Sequence, residues 1–189
     1  MNIRSICKGD EVAIWKLCQK AFKGYPWFEN MTDDSIKARW MKHIREPNFQ
    51  CLVVVNDGNQ ILSVAWFHDI SHETIKIQKG VPLLEFVTSK HPDRPCVWID
   101  ATVTDPDFQG RGMATKLKQA IFERILGLHS RPLILTRMRD DNVGIIKVNE
   151  KFGFIRTGIK ITGSGEVQHE FWYRACEDLD EVAEKSSRW

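Results

Sequence analysis

A β-rich run from Cys96 to Thr104 passes through Asp105-Pro106-Asp107 into Phe108-Gln109-Gly110-Arg111-Gly112-Met113-Ala114. From there it enters a helical stripe of Met113, Leu117, Ala120, Ile121, Ile125 and Leu128. Strand, turn, glycine-bearing loop and amphipathic helix in this order set successive main-chain amides at a helix N-terminus, their positive ends outward. Glycine lets the backbone come close to a ligand. The segment reads either as a cradle for a diphosphate or as a tight strand-to-helix turn that holds nothing. Two familiar phosphate loops are excluded: no Gly-Lys-Ser/Thr is present, and no Gly-x-Gly-x-x-Gly opens a following parallel unit.

The rest of the chain supplies a mixed set of elements. Asp10 is predicted to cap a helix with Ile14, Leu17, Cys18, Ala21 and Phe22 on one face, broken at Gly24-Tyr25-Pro26-Trp27-Phe28. Thr32 with Asp33 and Asp34 starts a second helix that carries Ile36, Trp40 and Ile44 and ends by Pro47. Residues 49–55 and 60–67 form a hairpin through Asn56-Asp57-Gly58-Asn59, where Asp-Gly tolerates positive φ. Residues 70–95 are hard to read beyond a short helix around Leu83 to Thr88. A strand over 132–138, a helix over 142–152 stopped by Gly153, and a strand pair over 154–161 and 167–173 around Gly163-Ser164-Gly165 complete the pattern. Hairpins mixed with strand-helix-strand units indicate an α/β fold with a mixed sheet. At 189 residues the chain suits one compact domain, 1–176, with a polar tail at 177–189 expected to fray.

Charge and composition narrow the function. Lys and Arg number 27 against 25 acidic residues, without the basic excess of a protein bound to nucleic acid through phosphates. The longest apolar runs are too short to span a bilayer, and the start Met-Asn-Ile-Arg lacks the apolar core of a signal peptide, so the expected location is the cytoplasm and no membrane partner is expected. Cys7, Cys18, Cys51, Cys96 and Cys176 show no paired spacing and read as reduced, mostly buried thiols. His68 and His72 with Asp69 and Glu73 do not make a convincing zinc site on a strand end and loop, so no metal is expected.

Gln109-Gly110-Arg111-Gly112-Met113-Ala114 fits the Gln/Arg-x-x-Gly-x-Gly/Ala signature of the GNAT superfamily of acetyl-CoA-dependent N-acetyltransferases. The segment Asn142-Val143-Gly144-Ile145-Ile146-Lys147-Val148-Asn149-Glu150-Lys151-Phe152-Gly153-Phe154 resembles the family's later motif. The resemblance implies the GNAT fold: antiparallel N-terminal strands, then a central splayed parallel pair flanked by helices. It implies acetyl-CoA as co-substrate, with its arm along Thr102, Val103 and Thr104, its pyrophosphate on the amides of Gln109 through Ala114, and Asn142 touching the arm or serving only as a helix N-cap. The amide near Thr102 would stabilise charge on the thioester oxygen.

The same resemblance sets base-like side chains at the positions of Asp100 and Trp98, of which only Asp100 can take a proton. Since a free Asp titrates near ~3.9, burial would have to raise it; otherwise Asp100 acts through water, anchors a cationic substrate, or is held by local amides. Many members place a proton-donating Tyr where this chain has Asn149, which can donate a hydrogen bond to the departing sulfur or cap local backbone. The acceptor pocket of the fold directs attention to Tyr25, Trp27, Phe28, Trp66, His68, Trp98 and Trp172, which also fit ordinary core packing. Arg111, Lys147 and Lys151 could meet the adenosine phosphate or lie on solvated helix faces. The expected activity is acetyl transfer to a primary amine by direct attack, with a small-molecule acceptor. Acetylation of protein lysines or N-termini, and a non-catalytic acyl-CoA-binding domain, stay open, as does a homodimer.

Overall fold

The computed structural model describes residues 1–163 and 167–177. Seven strands build one sheet: β1 (Asn2–Ser5), β2 (Gln50–Val55), β3 (Ile61–Asp69), β4 (Cys96–Thr104), β5 (Leu133–Arg139), β6 (Ile155–Thr162) and β7 (Gln168–Ala175). Their spatial order is β1-β2-β3-β4-β5-β7-β6. Every neighbouring pair is antiparallel except β4 and β5, which run parallel. Helices α1 (Glu11–Lys23), α2 (Asp33–His43), α3 (His72–Lys79), α4 (Val81–Lys90), α5 (Met113–Leu128) and α6 (Val143–Lys151) flank it. Among the described residues no helix is long and apolar enough to cross a membrane.

Both faces of the central strands are covered, which is why β2 and β3 read as near-continuous apolar runs. On one face Leu52, Leu62, Phe67, Val97, Ile99 and Ile134 meet the α5 stripe of Leu117, Ile121 and Ile125. On the other, Val53, Val64, Trp66 and Val103 pack under α1 and α2 through Ile14, Leu17, Phe22, Ile36 and Trp40. Further along that second face Trp98, Leu135 and Phe171 pack under α3 and α4 through Ile75, Leu83 and Val87.

Most elements appear where the sequence puts them, with informative exceptions. Asp10 stands at the N-cap of α1 but makes no cap bond; its carboxylate accepts from Arg4 at 2.6 and 3.1 Å and from the Cys7 amide at 2.7 Å. The positive φ of the β2–β3 turn falls on Asn59 (60°) rather than Gly58, because the loop ends in a left-handed residue that Asn tolerates. Residues 70–95 fold into two helices, not one. The Ser71 hydroxyl caps α3 by accepting from the Thr74 amide at 3.1 Å, and Gly80, at φ +103°, turns the chain into α4. The edge strand β1 escaped the sequence reading because Asn2–Ser5 has no alternating pattern. Glu177, expected to begin a fraying tail, pairs with Arg94 and with Arg131; 178–189 lie outside the described residues, as does the 164–166 part of the final turn. Four of the five cysteines are buried and all are free, as expected.

Candidate active site

The parallel pair is joined only at its base. β4 and β5 register from Cys96 with Leu133 to Ile99 with Thr136, where the Thr136 hydroxyl donates to the Ile99 carbonyl at 2.9 Å. Beyond that rung the strands part. The Asp105 amide donates to Leu62 on β3. Because amides alternate sides along a strand, the amide of Val103 faces β3 too, whereas those of Thr102 and Thr104 face the gap. A cavity of about 460 Å³ occupies it, bounded by Thr102–Thr104, Gln109–Thr115, the α6 N-terminus from Asn142 to Ile145, and Phe22, Tyr25 and Trp27.

The glycine loop is held from outside and left open inside. Lys20 on α1 reaches Asp105 and Asp107 at 2.6 Å each, and Asp105 accepts from the Asp107 amide at 3.0 Å, which fixes a single 3₁₀ turn over Pro106–Phe108. Gly110 and Gly112 adopt φ of +74° and +76°, and no atom lies within 4 Å of where a Cβ would stand. Gly112 is the N-cap of α5 without a side-chain cap, and Lys116 makes the bond back to the Gly112 carbonyl. The amides of Met113, Ala114 and Thr115 therefore have no intrahelical acceptor and open toward the cavity. Asn142 is the N-cap of α6, its side-chain oxygen accepting from the Ile145 amide at 3.4 Å, and it also lines the cavity.

The aromatic candidates separate into three groups. Tyr25 and Trp27 line the cavity, and the Tyr25 hydroxyl spans its mouth to donate to the Asp141 carbonyl at 2.7 Å. Phe28 points to solvent at 72% exposure. Trp66 packs with Trp40 in the core under α2, and Trp172 is buried on the α5 face beneath Arg156; neither lines the cavity. Trp98 is a core residue with one polar duty, described next.

Asp100 is the unpaired extra residue of a bulge: Trp66 pairs with Ala101 and Phe67 with Ile99. The bulge aims its carboxylate to the α1 face, at the point where β4 leaves β5. Its Oδ1 accepts from the Trp98 indole at 2.8 Å, and its Oδ2 accepts from His43 Nδ1 at 2.8 Å and His68 Nε2 at 3.1 Å. Burial disfavours the charge, but the bonds from His43 and His68 and the nearby Lys79 ammonium prevail and hold the carboxyl well below the usual carboxylate range. This corrects the requirement that burial raise it: Asp100 is a weak proton acceptor, and three of its about four lone pairs are taken by the protein.

Two histidines follow from this geometry by proton counting. His68 Nδ1 lies 2.7 Å from the Asp69 carbonyl, which can only accept, and Nε2 faces the carboxylate, so both ring nitrogens carry protons and His68 is cationic. Burial opposes that charge, and the bonds to Asp100 and Asp69 overcome it, raising the imidazole's pKa. His43 turns Nδ1–H to the carboxylate, so in its neutral form Nε2 is the basic nitrogen. His43 was not singled out from the sequence, although it stands three residues after Trp40 and seven after Ile36, on the buried side of α2, where a polar ring signals a partner.

Asn149 does not reach the cavity. It is buried, with its side-chain amide donating to the Met138 sulfur at 2.6 Å and its oxygen unpartnered among the described residues. His72 is the first residue of α3 and is not part of the His43, His68 and Asp100 group. Among the described residues the group whose donor atoms converge within 4.8 Å is His43, His68 and Asp100; both histidines already bond Asp100, and the facing cations Lys79 and Arg137 oppose a dication there.

The parted parallel strand pair and the uncapped N-terminus of α5 thus present an open strand edge and free amides to one cavity. The chain belongs to the acetyltransferase (GNAT) family, whose model matches residues 13–154. It is thus an acyltransferase of a family that uses acetyl-CoA. Similar solved structures include a ribosomal-protein-alanine N-acetyltransferase from Brucella melitensis, with TM-score 0.70 at 15% identity over 93% of this chain and 100% of that one. A spermidine N-acetyltransferase variant from Vibrio cholerae has TM-score 0.62 at 15% identity over 100% and 99%. A phosphinothricin acetyltransferase from Sinorhizobium meliloti in complex with acetyl-CoA has TM-score 0.68 at 14% identity over 95% and 90%. At these identities the likeness shows the fold. Comparison with curated protein sequences gives no significant match.

Proposed function

We propose that the protein transfers the acetyl group of acetyl-CoA to the primary amine of a small molecule, with His43 as general base and Asp100 as the residue that orients it. The observation that carries this reading is that one strand, β4, bears Asp100, bonded to His43, two and four residues before Thr102 and Thr104, which line the cavity. The amides from Gln109 to Ala114 hold the pyrophosphate, as uncapped helix N-termini hold anions. Thr102, Val103 and Thr104 pair with the pantetheine arm. The Thr102 amide donates to the thioester oxygen as negative charge builds there.

His43 Nε2 takes a proton from the attacking nitrogen, the new C–N bond forms, and the C–S bond breaks. Asp100 keeps Nδ1 protonated throughout and stabilises the imidazolium, in the manner of an orienting carboxylate in a catalytic triad. No protein group need protonate the sulfur, since a thiol near ~8.5 leaves tolerably as thiolate. This replaces Asp100 as the base and releases Asn149 from the chemistry.

The His43→Gln variant tests the assignment. Calorimetric titration should show acetyl-CoA affinity unchanged, while the rate of thiol release with amine falls about 10²- to 10⁴-fold. An unchanged rate would return the base to another residue, and failure of the unmodified protein to bind acetyl-CoA would overturn the site as a whole.

A further inference from the structure

Resting on the acetyl-transfer reading above, we infer that the acceptor is an anionic amine, one whose amino group is tethered to a carboxylate, phosphate or phosphonate that docks at Arg137 and Arg39 beside the β4–β5 parting. Asp100 is a poor anchor for a substrate ammonium, since its two oxygens already accept three hydrogen bonds, from the Trp98 indole, His43 and His68, and keep at most one of about four lone pairs, on Oδ1.

The charges left over on this face are predominantly positive. Arg137 follows the last β4–β5 rung and lies on the side of the sheet that carries Asp100, since its cross-strand partner Phe171 is in the core under α3 and α4. Arg137 is open to solvent and among the described residues makes no hydrogen bond or ion pair; the protein packed around the base of its side chain and the charge of Arg39 lower its pKa. Arg39, on α2 one turn before His43, is exposed; among the described residues it meets the Phe22 ring at 5.5 Å, and it lines a small recess together with His43. Lys79, at the end of α3, sits 3.9 Å over the Trp98 ring, with no carboxylate bonded to it among the described residues. Burial pushes its ammonium down to about 8, with Asp100 acting in the opposite sense.

Lys42 and cationic His68 add to the positive side, against Asp100 and Glu46. Guanidinium groups that repel each other and lack partners are stabilised by an oxyanion, which Arg can grip through two parallel bonds. The same field disfavours a second ammonium and favours the neutral form of the amine that must attack.

The test is a matched set of acceptors: 4-aminobutyrate, 3-aminopropylphosphonate, n-butylamine and putrescine, with thiol release followed at neutral pH. The proposal expects kcat/KM at least tenfold higher for the two anionic amines than for butylamine, with putrescine the poorest, and the comparison of carboxylate with phosphonate identifies the preferred anion. In Arg137→Gln the advantage of the anionic amines shrinks at least tenfold, and in Arg137→Glu putrescine overtakes them; acetyl-CoA affinity, measured by calorimetry, verifies that each variant is folded. Equal or greater turnover of putrescine by the unmodified protein, or an anion preference that survives Arg137→Glu, overturns the inference while leaving acetyl transfer standing. Absence of turnover with all four, with acetyl-CoA still bound, instead counts against the transfer reading on which it rests.

Discussion

Asp100 and Lys118 are both ionisable side chains taken out of water, on opposite faces of one sheet, and their surroundings treat them differently. Asp100 receives three donors, from Trp98, His43 and His68, and keeps its charge at any ordinary pH. Lys118, on α5, is 1% exposed among Phe122, Phe154 and their neighbours, with its ammonium 5.4 Å from the Phe154 ring and no carboxylate or carbonyl bonded to it among the described residues. Burial alone pushes it down to about 7. Desolvation is common to both; what separates them is whether the fold supplies partners. A buried charge with partners is a working part of a site, and one without them is a standing cost to stability.

The comparison breaks most visibly at Asp100→Asn. An amide can accept from Trp98 only by turning its NH₂ toward both histidines, and His43 must then accept at Nδ1, which protonates Nε2 and removes the base. The analogous change in a serine-protease triad acts through the wrong tautomer. We expect kcat to fall about 10²- to 10⁴-fold, with acetyl-CoA affinity unchanged by calorimetry. A variant that keeps most of its kcat would show that Asp100 only holds the fold together.

Lys118→Met should make the opposite change, a gain in stability. The folded-state pKa of Lys118 lies below its model value of 10.5, so the unfolded chain binds the proton more tightly and burial of the charge destabilises the native state. That penalty is complete below about 7 and disappears as pH rises toward 10.5. Each tenfold in the proton equilibrium is worth about 1.4 kcal/mol, so the Met variant should be more stable by a few kcal/mol at pH 6 and by little at pH 10. Taking the difference between the two proteins at each pH in urea titrations cancels the buried thiols of Cys18, Cys51 and Cys96, which also titrate in the alkaline range. A pH-independent difference would mean that the ammonium finds a partner in solution.

How much of this was legible in the sequence follows the same division between local and assembled features. The strand over Cys96–Thr104, the open glycines and the α5 stripe are local, written in consecutive residues, and the structure has them where expected. Asp100 stood out because an acid within an apolar run needs a reason. Its reason, however, comes from α2 and β3, and the β4 bulge that aims it also shifts the in–out alternation, so that Val103 packs under α1 and α2 while Ile99 packs under α5. Neither His43 nor Arg137 could be joined to Asp100 without knowing that order of strands. Trp172 packs in the core because the pairing of β7 with β5 sets it on the α5 face, a matter of register rather than residue type. Lys118 escaped notice since a Lys between Leu117 and Gln119 looks like an edge of the polar side of the helix.

The smallest effect, and the one that resolves the comparison most finely, is expected at His68→Gln. Glutamine can still donate to Asp100 but carries no charge, so the variant removes one cation from the network and keeps the hydrogen bond. The pKa of His68 is raised in the fold; its stabilisation is therefore complete below about 6.5 and is lost as pH climbs through the folded-state value. The pKa of Asp100 is lowered; its share is complete above 3.8 and is lost as pH drops through its depressed value. The ion pair is thus fully formed between about 4 and 6.5, and the Gln variant should be less stable there by about 1 to 2 kcal/mol, in the range of a hydrogen bond to a charged group. By pH 9 the deficit should have shrunk, because neutral His68 has one ring proton for two acceptors and is no better a partner than Gln. Urea titrations of the two proteins at pH 5.5 and 9 measure that difference. A deficit as large at pH 9 as at pH 5.5 would mean that His68 serves by its shape, that its second proton is absent, and that Asp100 holds its charge through His43 and Trp98 alone.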